Sequence, residues 1–247
     1  MIDGLIFIGV DDTDLPGTRG TGRLARDLAD HLELQGAGKI RGVTRHQLLV
    51  HPSIPYTSHN SAACLGLESN EAPAAIFDAC KAFLKANVIP GSDPGVCVSA
   101  RFCVSGEVME FGKQAQAFVL EIEQARRVAA GEGVRLEALG PVGQGTIGAV
   151  AAVGLRGSGN DGRFIELRGI RQVSGLLSVR ALKEKTDVAC VRSSDLVELV
   201  DEHVIDTQDW LRPRLVGHQA ILVVERHPEL SGDWISIDRR NSKRLKS

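Results

Sequence analysis

The 247-residue chain has no CxxC pair, and no apolar run in it approaches the roughly 20 residues that a membrane-spanning helix needs. Its five cysteines, Cys64, Cys80, Cys97, Cys103 and Cys190, are odd in number and scattered, with no secretory leader ahead of them. That argues against a zinc ribbon and reads as a reduced, cytoplasmic setting. A dominant charge sign is lacking too. With 29 Lys and Arg against 31 Asp and Glu, the formal net charge is -2, without the electrostatic footprint of a general nucleic-acid binder, although a local basic groove is compatible with it. There is no internal repeat, no low-complexity segment and no amphipathic helix with a heavily basic face, so a soluble protein with no membrane partner is expected. The Lys-Ser/Thr of a P-loop and the spacing of the dinucleotide GxGxxG fingerprint are missing as well.

What is present is an ordinary globular composition, 43% hydrophobic and 24% charged, enough for one large domain or two closely packed ones. The most informative string is GLIFIGVDDTD, an apolar strand-like run ending in Asp11, Asp12, Thr13 and Asp14. Three carboxylates in four residues repel one another and are costly to desolvate, so their expected use is to hold a cation at the end of a buried strand. The loop that follows carries Gly17, Thr18, Arg19, Gly20, Thr21, Gly22 and Arg23. Such a loop can present backbone N–H groups, hydroxyls and guanidinium groups to phosphate oxygens at a helix N-terminus. A plain turn accounts for one Asp, but not for three beside this loop. The expectation is a magnesium-nucleotide or phosphate site.

Along the chain, Leu5 to Val10 reads as a buried strand and Leu24 to Leu34 as a helix. Lys39 to His51 reads as a strand, then Pro52 and Pro55 force an irregular crossing to Asn60, and Ala62 to Leu67 resumes a strand. Ala72 to Ala86 and Gln114 to Ala130 are expected helices flanking the turn PGSDPG and a strand around Val96 to Val104. Arg135 to Leu139 is a strand candidate, Thr146 to Val153 a short helix of small residues, and Arg163 to Arg168 a strand. Beyond lie a helix at Ser178 to Lys185, a polar-apolar stretch at Asp195 to Val200, a strand at Ala220 to Glu225 and the basic tail RRNSKRLKS. Such a tail is ordinarily solvated, with RNA contact as the alternative. In GPVGQGTIG, Gly143 and Gly145 could serve phosphate binding or, with Gly148, close helix packing. The segment RHQLLVHPSIPYTSHNSAA gathers His46, His51 and His59 with Tyr56 and Asn60 on a proline-stiffened path, either a pocket wall or a solvent-facing loop.

Four segments, GVDDTDLPG, HPSIPYTSHNSAA, GQGTIGAVAAVG and FIELRGIR, resemble in the same order segments of the archaeal tRNA(Ile) agmatidine synthetase family, over about residues 5 to 171. In that family ATP phosphorylates the C2 oxygen of a wobble cytidine, and agmatine then displaces the phosphate. The resemblance implies an α/β (α+β) fold in which a kinase-like catalytic domain, residues 1–60 and 132–175, is interleaved with a smaller ferredoxin-like domain, residues 61–131 and 176–238, before the tail at 239–247. Asp11, Asp12 and Asp14 would be the acidic catalytic and metal-holding cluster. Gly17 to Arg23, with Gly143 and Gly145, would bind nucleotide phosphates, and His59 and Asn60 would line the acceptor side. The implied cofactors are ATP and magnesium, and the implied partner is a small-molecule or nucleobase acceptor, with tRNA as a further candidate. The departures are specific. Gly22 stands where the family's autophosphorylated threonine falls, TSHN replaces KTRGN, and Gln144 interrupts the family's GRG loop; a chain without the family's tRNA-gripping OB-fold and zinc-ribbon domains is expected. Loss of arginine at two places removes bidentate anion clamps, so a changed substrate is expected. Two other readings stand beside this one: a non-catalytic nucleotide-sensing or partner-binding module, and a haloacid-dehalogenase-like phosphatase with its nucleophile in the DTD tripeptide.

Overall fold

The computed structural model describes residues 4–57, 59–208, 211–229 and 233–237; the expected basic tail at 239–247 lies outside the described residues. The chain packs as two units, Met1–Gly162 and Arg163–Ser247, and the fold class is mixed α/β, as expected.

The first unit begins with β1 (Leu5–Asp11), α1 (Thr21–Leu34), β2 (Lys39–Gln47), β3 (Ser61–Glu68), α2 (Pro73–Asn87) and β4 (Gly95–Ala100). It continues with α3 (Gly106–Ala117), α4 (Ile122–Gly131), β5 (Arg135–Ala138) and α5 (Gly145–Ser158). Its strands run in the order β5-β4-β1-β3-β2 and every pairing is antiparallel. The first four strands with α1 and α2 therefore make a split βαββαβ arrangement. The interleaved scheme assigned β1 and β2 to one domain and β3 and β4 to another. The packing boundary falls instead at Gly162, because β1 is hydrogen-bonded to β3 on one side and β4 on the other.

Central position explains the sequence of β1. Ile6 to Val10 are all buried, as a strand covered on both faces requires. One cover is α1, which buries Leu24, Leu28 and Leu32 at helical spacing and ends with Gly36 N–H donating to Glu33 O and Ala37 N–H to Leu32 O. The other cover is α5, in which every residue from Gly145 to Gly157 except Ile147 is buried. A Cβ on Gly9 would lie 2.1 Å from the Ala149 carbonyl oxygen, so strand and helix backbones touch there.

Several elements end earlier than their apolar pattern suggests. β2 stops at Gln47 rather than His51, where the Leu48 N–H turns to the Asn60 carbonyl at 2.9 Å. The expected single helix Gln114 to Ala130 is two helices. Its first part belongs to α3, begun at Ser105 by a side-chain cap, and α4 starts afresh at a capping box of Glu121 and Gln124. The strand near Val96 ends at Ala100 and passes into a 3-10 turn.

A buried polar network joins distant parts of this unit. His46 Nδ1 is 2.8 Å from Asp161 Oδ1, His46 Nε2 is 2.8 Å from the Thr44 hydroxyl, and Gln116 Nε2 donates to Asp161 Oδ2 at 2.9 Å. Burial outweighs the carboxylate partner and lowers the pKa of His46. Burial is the largest single influence on Asp161 and would raise it, but the hydrogen bond and electrostatic attraction of His46 together with the hydrogen bond from Gln116 outweigh it and hold Asp161 below the ordinary value. A neutral imidazole donating to an ionised carboxylate satisfies both shifts. Although Asp, His and a hydroxyl are in line, His46 and Thr44 are fully enclosed, so the network holds the fold and does not meet substrate.

The second unit contains β6 (Arg163–Glu166), β7 (Leu176–Ser178), α6 (Val179–Lys185), β8 (Cys190–Ser193), β9 (Val204–Asp206), β10 (Arg214–Val216), β11 (Gln219–Arg226) and β12 (Trp234–Ser236). β11 is its hub, antiparallel to β10 and β12 and parallel to β8. Its own core includes Phe164, Ile170, Leu182, Val191, Ile205, Leu222 and Trp234. Among the described residues, no helix is long and apolar enough to cross a membrane.

Candidate functional site

At its C-terminal end β1 delivers Asp11 and Asp12 to a cleft in the first unit, with a free volume of about 140 Å³. The floor also includes Asp14, Thr21, Gln144, Ile147 and Gly148; one wall is residues 53–57 and 59–61, and the other is Ala115 and Phe118 to Leu120. Asp12 has φ 53, a left-handed conformation that a non-glycine residue adopts at a cost and that clusters at functional positions.

Asp11 fits only because α5 begins with small residues. A Cβ on Gly148 would fall 1.7 Å from Asp11 Oδ2, so the carboxylate occupies the space a side chain would take. Burial raises its pKa from 3.8 to about 7; a backbone hydrogen bond at Asp12 opposes this, and the charges of Asp12 and Asp14 add to it. Asp12 rises to about 6, first from burial and then from the charges of Asp93 and Asp14. Two adjacent carboxyls are thus held where ionisation is disfavoured and a counter-charge would be favoured.

Asp14 has a different task. Its Oδ1 accepts from the Thr21 hydroxyl at 2.9 Å and the Thr21 N–H at 3.3 Å, which caps the start of α1. Its Oδ2 accepts from the Thr57 hydroxyl at 3.0 Å, and the Thr13 hydroxyl donates to Thr21 Oγ1 at 3.1 Å. The expected metal trio is therefore not assembled: among the described residues, no three His, Cys, Asp or Glu side chains are grouped so as to hold a metal ion.

The glycine loop also behaves differently from expectation. Thr18 makes a closed turn with Leu15, its hydroxyl donating to the Leu15 carbonyl at 2.8 Å. Arg19 and Arg23 both bond to Asp27, at 3.3 and 2.8 Å, and Arg19 also donates to the Asn87 carbonyl. Of Gly17 to Arg23 only Thr21 lines the cleft, and no lysine or arginine is among the described residues lining it. Gly20 is the N-cap position of α1 and Gly22 is inside its first turn, where the Asp14 carboxylate already occupies the helix N-terminus.

Gly143 and Gly145, expected to offer amides to phosphate, have theirs engaged. The Asp93 carboxylate accepts from the N–H groups of Val142, Gly143 and Gln144 at 2.6 to 3.0 Å, and the Gly145 N–H donates to the Asp93 carbonyl at 3.2 Å. This residue escaped sequence reasoning because its partners lie some fifty positions away. Asp93→Ala is expected to destabilise the first unit by about 1–3 kcal/mol, since three donors lose a charged acceptor. Urea denaturation and limited proteolysis around residues 140–145 measure this, and an unchanged midpoint would show that water replaces the carboxylate without loss.

From the histidine-bearing segment, Tyr56, His59 and Asn60 do line the cleft. Asn60 also donates to the Leu49 carbonyl at 2.6 Å, fixing the base of the loop. His46 is enclosed in its buried network, and His51 bonds Ser53 on the exposed side. Thr57 had no sequence signal of its own beyond proximity to His59.

No protein-family model matches the chain, and no curated protein does. Solved structures are similar to it over 61% of its length. A tRNA fluorescent labeling enzyme is 27% identical with a TM-score of 0.54. TiaS in complex with tRNA(Ile2) and ATP is 26% identical with a TM-score of 0.55, and TiaS with tRNA(Ile2), AMPCPP and agmatine is 25% identical with a TM-score of 0.53. TiaS is described as tRNAIle2 agmatidine synthetase. The similar part spans only about 36% of each of those chains.

Proposed function

We propose that the first unit is an ATP-dependent catalytic domain that activates an oxygen of a small-molecule or nucleobase acceptor by phosphoryl transfer, with displacement by an amine as a following step. The observation that carries this is the pair of ionisation-resistant carboxyls, Asp11 and Asp12, at the floor of one cleft. The ATP and AMPCPP complexes of the similar TiaS support it, and tRNA is the carrier of the acceptor to which those neighbours point.

The donor set fits magnesium in a limited way. Magnesium is ordinarily held by one or two carboxylates together with substrate phosphates, so Asp11 and Asp12 suffice without Asp14. A polyphosphate entering beside two carboxylates needs a counter-charge that the lining does not provide. When bound, magnesium would neutralise phosphate charge. The chain's own contributions are then positional. Asp12 presents its carboxyl from a fixed, left-handed backbone, Gly148 leaves room for Asp11, and the side chains of His59 and Asn60 serve the acceptor side.

Calorimetry tests this reading. Wild type is expected to bind ATP with magnesium, ATP alone at least tenfold more weakly, and Asp12→Ala to lose at least tenfold of the magnesium-dependent affinity. Equal binding by wild type and variant, or no binding by wild type, overturns it.

The outward pairing of Arg19 and Arg23 with Asp27, together with Gly22, favours one second reading, a nucleotide sensor without chemistry. It predicts ATP binding with no release of ADP, AMP or phosphate under any acceptor. The haloacid-dehalogenase-like alternative has less support, since its chemistry needs a lysine beside the nucleophilic aspartate and none is among the described residues lining the cleft.

A further inference from the structure

We propose that the apolar walls of the cleft form the seat of the adenine ring of ATP, with Tyr56 and Phe118 as the residues that select a planar base. This rests on the ATP reading above and adds which part of the nucleotide lies where. The chain is poor in aromatic residues, with one Tyr, two Trp and seven Phe, yet two of them are left open to solvent on this one cleft. Tyr56 is 46% exposed and Phe118 63%, with Val119 beside them at 47%.

These groups are not on loose ends. Tyr56 immediately precedes Thr57, whose hydroxyl is bonded to Asp14, and Phe118 closes α3 with its N–H on the Gln114 carbonyl at 2.7 Å. The two walls are joined at their base, where the Leu49 N–H donates to the Ala115 carbonyl at 3.0 Å and Leu49 O accepts from Asn60. Side chains kept exposed on anchored backbone are preorganised for contact, and ordering them on binding costs little.

The chemistry of the occupant follows from the lining. Its acidic groups are Asp11, Asp12 and Asp14, and the aromatic walls offer neither a carboxylate for an amine nor a cationic side chain for an anion. A neutral, flat ring suits them, and aromatic side chains stack on such rings with little dependence on sequence. A single molecule that joins a neutral planar ring to a phosphate chain reaching Asp11 and Asp12 is a nucleoside polyphosphate. The ring of the acceptor is the competing occupant, which the test separates.

Magnesium-dependent binding of ATP and of inorganic tripolyphosphate is measured by calorimetry on wild type, Tyr56→Ala, Phe118→Ala and the ring-conserving Tyr56→Trp. Each alanine variant is expected to weaken ATP about tenfold and to leave tripolyphosphate unchanged, while Tyr56→Trp binds ATP as wild type does. ATP binding unaffected in both alanine variants overturns the adenine assignment and leaves the walls to the acceptor. Equal loss for ATP and tripolyphosphate also overturns it, because the side chains then only shape the cleft. Wild type that binds neither ligand overturns the ATP reading itself, and this assignment with it.

Discussion

Asp11→Asn is expected to raise the stability of the protein at pH 8 by about 2–4 kcal/mol in metal-free buffer, and to weaken magnesium-dependent ATP binding at least tenfold. Burial moves the Asp11 carboxyl from 3.8 to about 7. A group whose folded pKa lies above its unfolded value favours the fold while it is protonated in the folded state. That contribution is complete below pH 3.8 and is lost as pH rises through about 7. The wild type should therefore lose stability between pH 4 and pH 8, and the asparagine variant, which keeps the shape without the charge, should lose less. Asp12 contributes in the same direction, but it is more open and more screened. Urea denaturation at pH 4, 6 and 8 with a chelator reads the effect. A variant no more stable than wild type at pH 8 would show that the carboxylate is solvated after all. A stabilising loss of function is the behaviour of a residue kept for chemistry.

Gly9→Val is expected to cost about 4 kcal/mol or more and to leave little folded protein. The new Cβ would lie 2.1 Å from the Ala149 carbonyl oxygen and 3.0 Å from Val153, and the first of these is backbone in the most enclosed helix of the unit. Neither β1 nor α5 can retreat easily, since β1 is held by strands on both sides and α5 packs against α3 through Gly112 and Gly154. Soluble yield and the thermal midpoint measure this. A midpoint within a few degrees of wild type would mean that α5 shifts as a rigid piece.

Much of the first unit was legible because its signals are local. The run Ile6 to Val10, the helically spaced Leu24, Leu28 and Leu32, and the small-residue stretch after Gly145 each specify an element by themselves. In the second unit β6, α6 and β11 were legible for the same reason, but three-residue strands such as Val204–Asp206 and Arg214–Val216 were not, because they exist through their partners and not through any periodicity. In the site, the placement of Asp11 and Asp12 could be read from a strand ending in charge. The roles of Arg19 and Arg23 were misjudged, although the i,i+4 pairing of Arg23 with Asp27 is visible in the sequence. Asp93 and the bond between His46 and Asp161 depend on contacts 50 and 115 positions apart, which no local pattern encodes.

The third acidic residue of the motif gives the cleft a mechanical property. One carboxylate, that of Asp14, grips the first turn of α1 with one oxygen and the Thr57 loop with the other. The width of the cleft and the integrity of a helix end are therefore thermodynamically linked. A ligand that draws the Thr57 loop away must also tug on the clasp at α1, and whatever firms up α1 tightens the loop over the floor. The same aspartate that clasps α1 and the Thr57 loop thus sets how readily the cleft yields to its occupant.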